Sequence, residues 1–159
     1  MGDCAVAAIN GIIGNTVKQP PVIVIDTNVL VSALRSSSGW SYDLLARLGT
    51  GQFEHVITVP LVMEYEEVLH RPGMVPLNKA AVDDVLDYVC ASGLRQQVYF
   101  LWRPKLADVR HDMVLEAAFN GNCDAILTWN VRDFAAAADM AINILQPDQF
   151  VKRLKEPKS

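Results

Sequence analysis

Four consecutive β-branched residues, Val22–Ile25, end at an acidic residue, and this run constrains the fold more than any other part of the sequence. A Val/Ile run without polar alternation predicts a strand buried on both faces, as in a parallel sheet. Asp26 follows the strand directly, and Thr27-Asn28 lead into a helix-like stretch. Ligands of open parallel sheets bind beyond the carboxyl ends of the strands. Asp26 is therefore a candidate metal ligand or nucleophile, with helix capping as the alternative role.

The length and composition suit one compact domain. The chain has 159 residues and is 51% hydrophobic, which is enough for a full-sized core. We expect residues 21–155 to form this domain, residues 1–20 to be an extension that is either disordered or an edge element, and residues 156–159 to be a tail. The apolar residues near the amino terminus are interrupted at Asn10-Gly11, so they predict neither a secretory signal nor a membrane span.

Charge and cysteine content narrow the functional classes. The net charge of −4 provides no overall positive field, so contact with nucleic acid would depend on local lysine and arginine side chains. The widely spaced Cys4, Cys90 and Cys123 predict neither a disulfide framework nor a CxxC zinc site. Together these features predict a cytoplasmic protein that does not bind membranes.

Short apolar runs alternate with longer helix-like stretches, a rhythm typical of an α/β fold. The expected class is a three-layer α/β/α sandwich with a central, mainly parallel sheet of the Rossmann-like type. After the first strand, further strands are predicted at 55–58, 97–101, 125–128 and 142–145. Helices are predicted at 29–48 with a break at 36–39, and at 60–71, 79–91, 113–119 and about 148–154. We also expect the alanine run at 135–138 to be helical.

Two further acids are placed where their carboxylates could face the same crevice. Glu64 lies in the second turn of the helix predicted to begin at Pro60, beside apolar residues three and four positions away. Asp112 immediately precedes the helix predicted at 113–119, where helix capping is the alternative role. With Asp26 these acids predict a cluster that a hard divalent cation would compensate. Mg²⁺ or Mn²⁺ fits better than zinc because no His or Cys ligands are grouped here.

Small polar residues also follow the strand predicted at 125–128. If the strands are parallel, Thr128 leaves the sheet at the same edge as Asp26, and the following residues Trp129 and Asn130 border the same crevice. The two strand ends are therefore expected to converge on one site.

With these residues in view, the chain resembles the PIN-domain family, specifically the VapC-like toxin components of toxin–antitoxin systems. The resemblance covers about residues 22–151 and rests on the order and spacing of several segments. These are VIDTNVLVSA at 24–33, EYEEVLHRP at 64–72, DMVLEAA at 112–118, CDAILTWNVRDF at 123–134 and ILQPDQF at 144–150. The resemblance implies a parallel sheet flanked by helices and metal-dependent endoribonuclease chemistry.

The resemblance also assigns roles to the acids. It implies that Asp26, Glu64 and Asp112 are catalytic and bind one or two Mg²⁺ or Mn²⁺ ions. The fourth family position is often acidic, whereas here it is Asn130. An asparagine can supply a carbonyl oxygen or orient a water molecule, but it contributes no negative charge. Asp133, which precedes an aromatic residue, is the candidate for the fourth catalytic acid, with helix capping as its alternative role.

Neighbouring polar residues are expected to support the ligands. Asn28, Thr128 and Asn130 would hold them by hydrogen bonds, and turn formation or capping is the alternative role. Trp129 is expected either to stack on an RNA base or to fill a gap beside the cleft.

Positive side chains are the remaining candidates for contact with RNA. The arginines Arg35, Arg110 and Arg132 are the first candidates, and the other available cations are Arg71, Arg103 and Lys105. They form no dense basic patch, so most are expected to be ordinary surface charges. The resemblance further implies a protein antitoxin as partner and a homodimer or higher homo-oligomer.

Three other functions compete with this hypothesis. A non-catalytic PIN-like module that binds RNA or protein is favoured by Asn130 and by the negative net charge. Aspartyl phosphotransfer fits poorly, because Asn28 stands where a second acid is expected two residues after Asp26. A dinucleotide-binding enzyme is disfavoured because no GxGxxG sequence follows the first strand.

Overall fold

The computed structural model describes residues 19–99 and 109–156, and it contains a five-stranded parallel sheet flanked by helices. The strands are β1 (Val22–Ile25), β2 (Glu54–Ile57), β3 (Leu94–Arg95), β4 (Ala125–Leu127) and β5 (Asn143–Leu145). The helices are α1 (Thr27–Arg35), α2 (Trp40–Ala46), α3 (Val59–Leu69), α4 (Lys79–Ser92), α5 (Val109–Asn120) and α6 (Pro147–Lys155), with a 3₁₀ segment at Val131–Met140. The predicted α/β class with a parallel sheet is confirmed.

The strand order β3-β2-β1-β4-β5 determines where a ligand can bind. The chain winds from β1 towards β3 and then returns to the other side of β1 with β4 and β5. This reversal places a topological switch point between β1 and β4, where a crevice opens beyond the carboxyl ends of the strands. Ile25 pairs with Leu127 in the sheet, so Asp26 and Thr128 leave it side by side.

The residues of β1 are buried on both faces, as the unbroken apolar run predicted. Ile23, Val24 and Ile25 are all within the core. Helix α5 packs on β1, β2 and β4 and contacts α3, whereas α2 packs against α1 and α6. Helices therefore cover both sides of the sheet in the expected three-layer arrangement. Among the described helices, none has the length and apolar character needed to span a bilayer.

The third strand differs from its prediction. A strand was expected at 97–101, but β3 is Leu94–Arg95, and residues 97–99 are not part of the sheet. Leu94 and Arg95 pair with the last two residues of β2, and the N–H of Gln96 then bonds to the carbonyl of Ile57. The pairing stops there because β2 ends at Ile57. Residues 100 and 101 lie outside the described part of the chain.

Most of the other predicted elements are present with small shifts. The break in the first helical stretch is confirmed, since α1 ends at Arg35 and α2 begins at Trp40. The alanine run is helical but lies in the 3₁₀ segment instead of an α-helix. Residues 1–18 and 157–159 lie outside the described residues, so the extension and the tail stay predictions.

His55 gives the fold a predictable dependence on pH. It is buried in β2, and its Nε2 lies 2.9 Å from the carbonyl oxygen of Val89. Burial lowers the pKa of His55 below its ordinary value. The unfolded chain therefore takes up a proton at higher pH than the folded protein does, and stability falls as the pH drops below about 6.5.

We expect the urea midpoint of the protein to be lower at pH 5.5 than at pH 7.5, and the difference to shrink in a His55→Gln variant. The glutamine amide can still donate to Val89 but does not titrate. An equal difference in both proteins would show that other groups cause the pH dependence.

Candidate active site

Asp26 lies at the switch point of the sheet with only 4% of its surface exposed. Its Oδ1 accepts a hydrogen bond from the N–H of Thr27, and its Oδ2 accepts one from the hydroxyl of Thr128, both at 2.8 Å. Burial raises the pKa of Asp26, whereas the Thr128 hydrogen bond and nearby His111 lower it. Asp26 is also the N-cap of α1. Capping uses one carboxylate oxygen, so it is compatible with a role in the cleft.

Thr128 is the centre of the hydrogen-bond network around Asp26. Its fully buried Oγ1 accepts from Nδ2 of Asn28 at 3.3 Å and from the N–H of Asn130 at 3.0 Å. A hydroxyl has one proton and two lone pairs, so these two accepted bonds leave the proton directed at Asp26. The network thus orients a donor towards the carboxylate and favours its ionised form.

We expect Thr128→Val to raise the pKa of Asp26 further, because valine keeps the shape of threonine but removes the donor. Thr128→Ser retains the hydroxyl and is the matched control. Carboxyl NMR titration of the metal-free protein measures the shift, and the acid limb of any cleavage profile should move to higher pH in the valine variant. Identical titrations for valine and serine would contradict this role.

Trp129 is held away from the cleft. Its Nε1 donates to Oγ of Ser41 at 2.8 Å, and its backbone N–H donates to Oδ1 of Asn28 at 3.3 Å. Ser41 is buried at the start of α2. Trp129 is not among the residues that line the described cleft, and it is partly buried against the core beside the site. Base stacking by Trp129 stays a prediction.

A cleft of about 370 Å³ opens at Asp26. The described residues that line it are Asp26, Thr27, Asn28, Val31, Glu64, Val68, Arg71, Met74, His111, Asn130 and Asp133. Glu64 is buried in α3, whereas Asp133, at the start of the 3₁₀ segment, is 46% exposed. Among the residues predicted as catalytic, metal-binding or supporting, the cleft thus brings together five, namely Asp26, Asn28, Glu64, Asn130 and Asp133.

Asp112 occupies a different environment from the other acids. Helix α5 begins at Val109, earlier than predicted, so Asp112 lies within its first turn instead of before it. Its side chain is only 1% exposed and does not line the cleft. Glu116, one turn later in the same helix, is also buried.

Two residues at the site were not predicted from the sequence. His111 lines the cleft, with its Nε2 at 3.6 Å from Oδ2 of Asp133 and its ring 5.1 Å from that of Phe134. Tyr65 is buried in α3, and its hydroxyl donates to the carbonyl of Ile25, the residue before Asp26. Each is adjacent in sequence to a predicted acid, which was the available signal.

A larger groove, of about 630 Å³, lies at the amino ends of the strands. Its lining includes Pro20, Asp124, Phe150 and Arg153. Because ligands of open parallel sheets bind at the carboxyl ends, the smaller cleft at Asp26 is the stronger candidate for the active site.

Whether the cleft fits a metal ion depends on its donors. Within residues 19–99 and 109–156, no three His, Cys, Asp or Glu side chains are grouped so as to hold a metal. The predicted three-acid cluster is therefore not preassembled. The carboxylates of Asp26, Glu64 and Asp133 and the amide of Asn130 are nevertheless donors of the type that Mg²⁺ prefers. Mg²⁺ usually keeps several waters and binds one or two carboxylates together with substrate phosphates, so the donor set fits.

The predicted RNA-contacting cations are dispersed. Arg71 lines the cleft, Arg35 hydrogen-bonds to Met74 at its edge, and Arg132 is exposed outside it. The side chain of Arg110 lies outside the described part of the chain, as do Arg103 and Lys105.

The fold and the cleft define an α/β protein with an acidic site at the carboxyl ends of a parallel sheet. The sequence profile of the PIN domain matches residues 22–132, and the chain belongs to the PIN-domain family. PIN domains are generally nucleases.

No curated protein matches the chain. Among solved structures, the chain is similar to one from the crystal structure of VapBC2 from Rickettsia felis bound to a DNA fragment from their promoter. The TM-score is 0.58 at 13% sequence identity, over 79% of this chain and 98% of the other. At this identity the similarity shows a shared fold.

Proposed function

We propose that the protein is a metal-dependent endoribonuclease that hydrolyses RNA phosphodiester bonds. The observation that supports this most strongly is the buried carboxylate of Asp26, held by Thr27 and Thr128 at the switch point and sharing one cleft with Glu64 and Asp133. A desolvated carboxylate at a ligand-binding edge is costly to the fold, and such groups cluster at functional sites.

The chain's residues would divide the chemistry as follows. Asp26 and Glu64 in the cleft would hold Mg²⁺ or Mn²⁺, which when bound neutralises the phosphate and lowers the pKa of a water molecule. Asp112, buried outside the cleft lining, stays the third ligand that the sequence predicts. The hydroxyl of Thr128 donates to Asp26, which opposes the rise in its pKa caused by burial and would fix the orientation of the carboxylate. Asn130, which is exposed at the cleft, would orient the attacking water through its amide.

Asp133 would supply the negative charge that Asn130 does not. It lines the same cleft, three residues further along the chain, and its carboxylate lies 3.6 Å from Nε2 of His111. Its exposure leaves it free to adjust when a substrate binds.

We propose further that the protein is the toxin of a toxin–antitoxin pair in the cytoplasm. The sequence motifs resemble those of VapC-like toxins, and the fold is similar to a chain of a VapBC2 complex. A protein antitoxin and a homodimer or higher homo-oligomer are the expected partners. Copurification of the full chain with the product of a neighbouring gene tests for the antitoxin. Light scattering tests for the homo-oligomer.

Cleavage of RNA with and without Mn²⁺ tests the nuclease proposal. Structured and single-stranded RNAs, and a single-stranded DNA of matched sequence, are incubated with the wild type, Asp26→Asn and Asp112→Asn. We expect Mn²⁺-dependent products from RNA with the wild type and their loss in both variants. Intact RNA at every metal concentration would overturn the proposal, and equal cleavage of DNA would overturn its RNA specificity.

A non-catalytic binding module is the second candidate. It is favoured by Asn130 and by the lack of a preassembled three-acid group among the described residues. Calorimetry with Mn²⁺ separates the two functions, since weak or absent metal binding together with retained binding of intact RNA would indicate the module.

Asn130→Asp should strengthen Mn²⁺ binding several-fold, because it adds a carboxylate to the cleft beside Asp133. Asn130→Ala is the matched control, since it removes the amide without adding charge and should not strengthen binding. Calorimetric titration of both variants measures the effect. If the aspartate variant binds Mn²⁺ no better than the alanine variant, position 130 lies outside the metal site.

A further inference from the structure

The cleft extends beyond the acids between one face of α1 and one face of α3. On α1, Asn28 and Val31 line the cleft and Arg35 lies one turn further along the same face. At Asn28 this face is linked to the buried carboxylate of Asp26 through the hydroxyl of Thr128, and at Arg35 it becomes cationic. The polarity of the cleft wall therefore changes along the helix.

The facing side of α3 changes in the same way. Glu64 and Val68 of α3 line the cleft, and Arg71, two residues beyond the end of the helix, lines it as well. The α1 and α3 faces thus bring an acidic end and a basic end into one continuous cleft.

Arg35 is held in place at the basic end. Its Nε donates to the carbonyl of Met74 at 2.7 Å, and its Nη2 lies 3.5 Å from the sulfur of Met74. The turn after α3 presents this carbonyl, since Gly73 has a φ of 76° and the N–H of Met74 bonds to the carbonyl of Arg71. Any residue with a side chain would be strained at this positive φ, so the glycine at position 73 maintains the turn.

The charge of Arg35 is not neutralised by any acid in residues 19–99 or 109–156. The hydrogen bonds of Arg35 to described residues go to Met74. A guanidinium has five N–H donors, so several donors of Arg35 remain available for a ligand. Arg71 pairs with Glu67 at 2.9 Å, but Glu67 is largely exposed and such surface pairs are weak. Both arginines can therefore engage an anion.

We propose that Arg35 and Arg71 bind a phosphate of the RNA strand next to the one cleaved at Asp26. This inference rests on the proposed function. A strand whose scissile phosphate lies at the acids would continue along the cleft between α1 and α3 and meet both guanidinium groups. Arginine suits this position because its planar fork matches the geometry of a phosphate.

Salt dependence of RNA binding tests this subsite without relying on cleavage. A fluorescein-labelled single-stranded RNA is titrated with the full-length Asp26→Asn protein in Mn²⁺ at several KCl concentrations. In that background, replacing both Arg35 and Arg71 by glutamine should reduce the slope of log K against log salt by about 0.7, the value for one phosphate contact on a single strand, and each single replacement should reduce it by part of this amount. Arg35→Lys keeps the charge, so it should keep the slope while weakening binding through loss of the Met74 bond.

Arg153→Gln is the matched control, because Arg153 is an exposed arginine in the groove at the amino ends of the strands. Its slope should equal that of the parent. Unchanged slopes for both cleft variants, together with cleavage of RNA by the wild-type protein, would overturn the subsite alone. Wild-type protein that neither cleaves nor binds RNA would overturn the proposed function and the subsite together.

Discussion

Asp26→Asn is expected to reduce Mn²⁺-dependent RNA cleavage by about 100-fold or more. The variant keeps the shape of the side chain but removes the charge that would face the metal ion, and metal stabilisation of phosphoryl charge is worth several kcal/mol. Initial rates of cleavage of a labelled RNA at saturating Mn²⁺ measure the loss.

The same variant should change thermal stability little at neutral pH, because two effects oppose each other. Burial raises the pKa of Asp26, so the folded protein disfavours the ionised carboxylate and a neutral amide avoids this cost. The single oxygen of asparagine, however, can replace only one of the two oxygens that accept from Thr27 and Thr128. Asp124→Asn is the matched control, since Asp124 is an exposed acid at the start of β4 that bonds to the N–H of Val22. Full activity of Asp26→Asn, or equal loss in both variants, would remove Asp26 from its proposed role.

Gly121→Ala is expected to destabilise the fold by about 2 kcal/mol, which corresponds to a fall in Tm of roughly 5–8 °C. A Cβ at Gly121 would lie 2.9 Å from the carbonyl oxygen of Ala117 and from both methyl groups of Val56. Val56 is buried in β2, so neither neighbour can yield without moving α5 from the sheet. Thermal unfolding followed by circular dichroism measures the change.

Gly39→Ala provides the comparison. A Cβ at Gly39, the N-cap of α2, would meet no atom closer than 3.8 Å. Its cost should be about 1 kcal/mol or less, because glycine is preferred to alanine at an N-cap but no atom obstructs the added methyl group. Equal destabilisation by the two substitutions would show that the close approach of α5 to β2 does not limit packing.

The central part of the fold could be predicted because its signals are local. The run Val22–Ile25 predicted a buried parallel strand, and Ser36–Gly39 predicted the break between α1 and α2. The third strand could not be placed, because its length depends on where its partner β2 ends and not on its own β propensity.

The sequence indicated which strand ends converge better than it indicated how each acid is buried. The convergence of Asp26 and Thr128 follows from parallel strands, and the register bears it out. The burial of Asp112 depends on how far α5 extends before it and on its packing against the sheet, which local sequence does not specify. His111 was missed because its role depends on Asp133 and Phe134, which the fold brings to it from another segment.

The sharing of Asp26 between the cleft and the first turn of α1 has a practical consequence for trapping a substrate complex. Replacement by alanine would leave the N–H of Thr27 and the hydroxyl proton of Thr128 without acceptors. Each unsatisfied group would lower the free energy of unfolding by about 1–3 kcal/mol. Such an inactive protein would also have a disordered site. Asparagine keeps an acceptor for the helix, so it is the substitution of choice for crystallising the protein with an intact RNA.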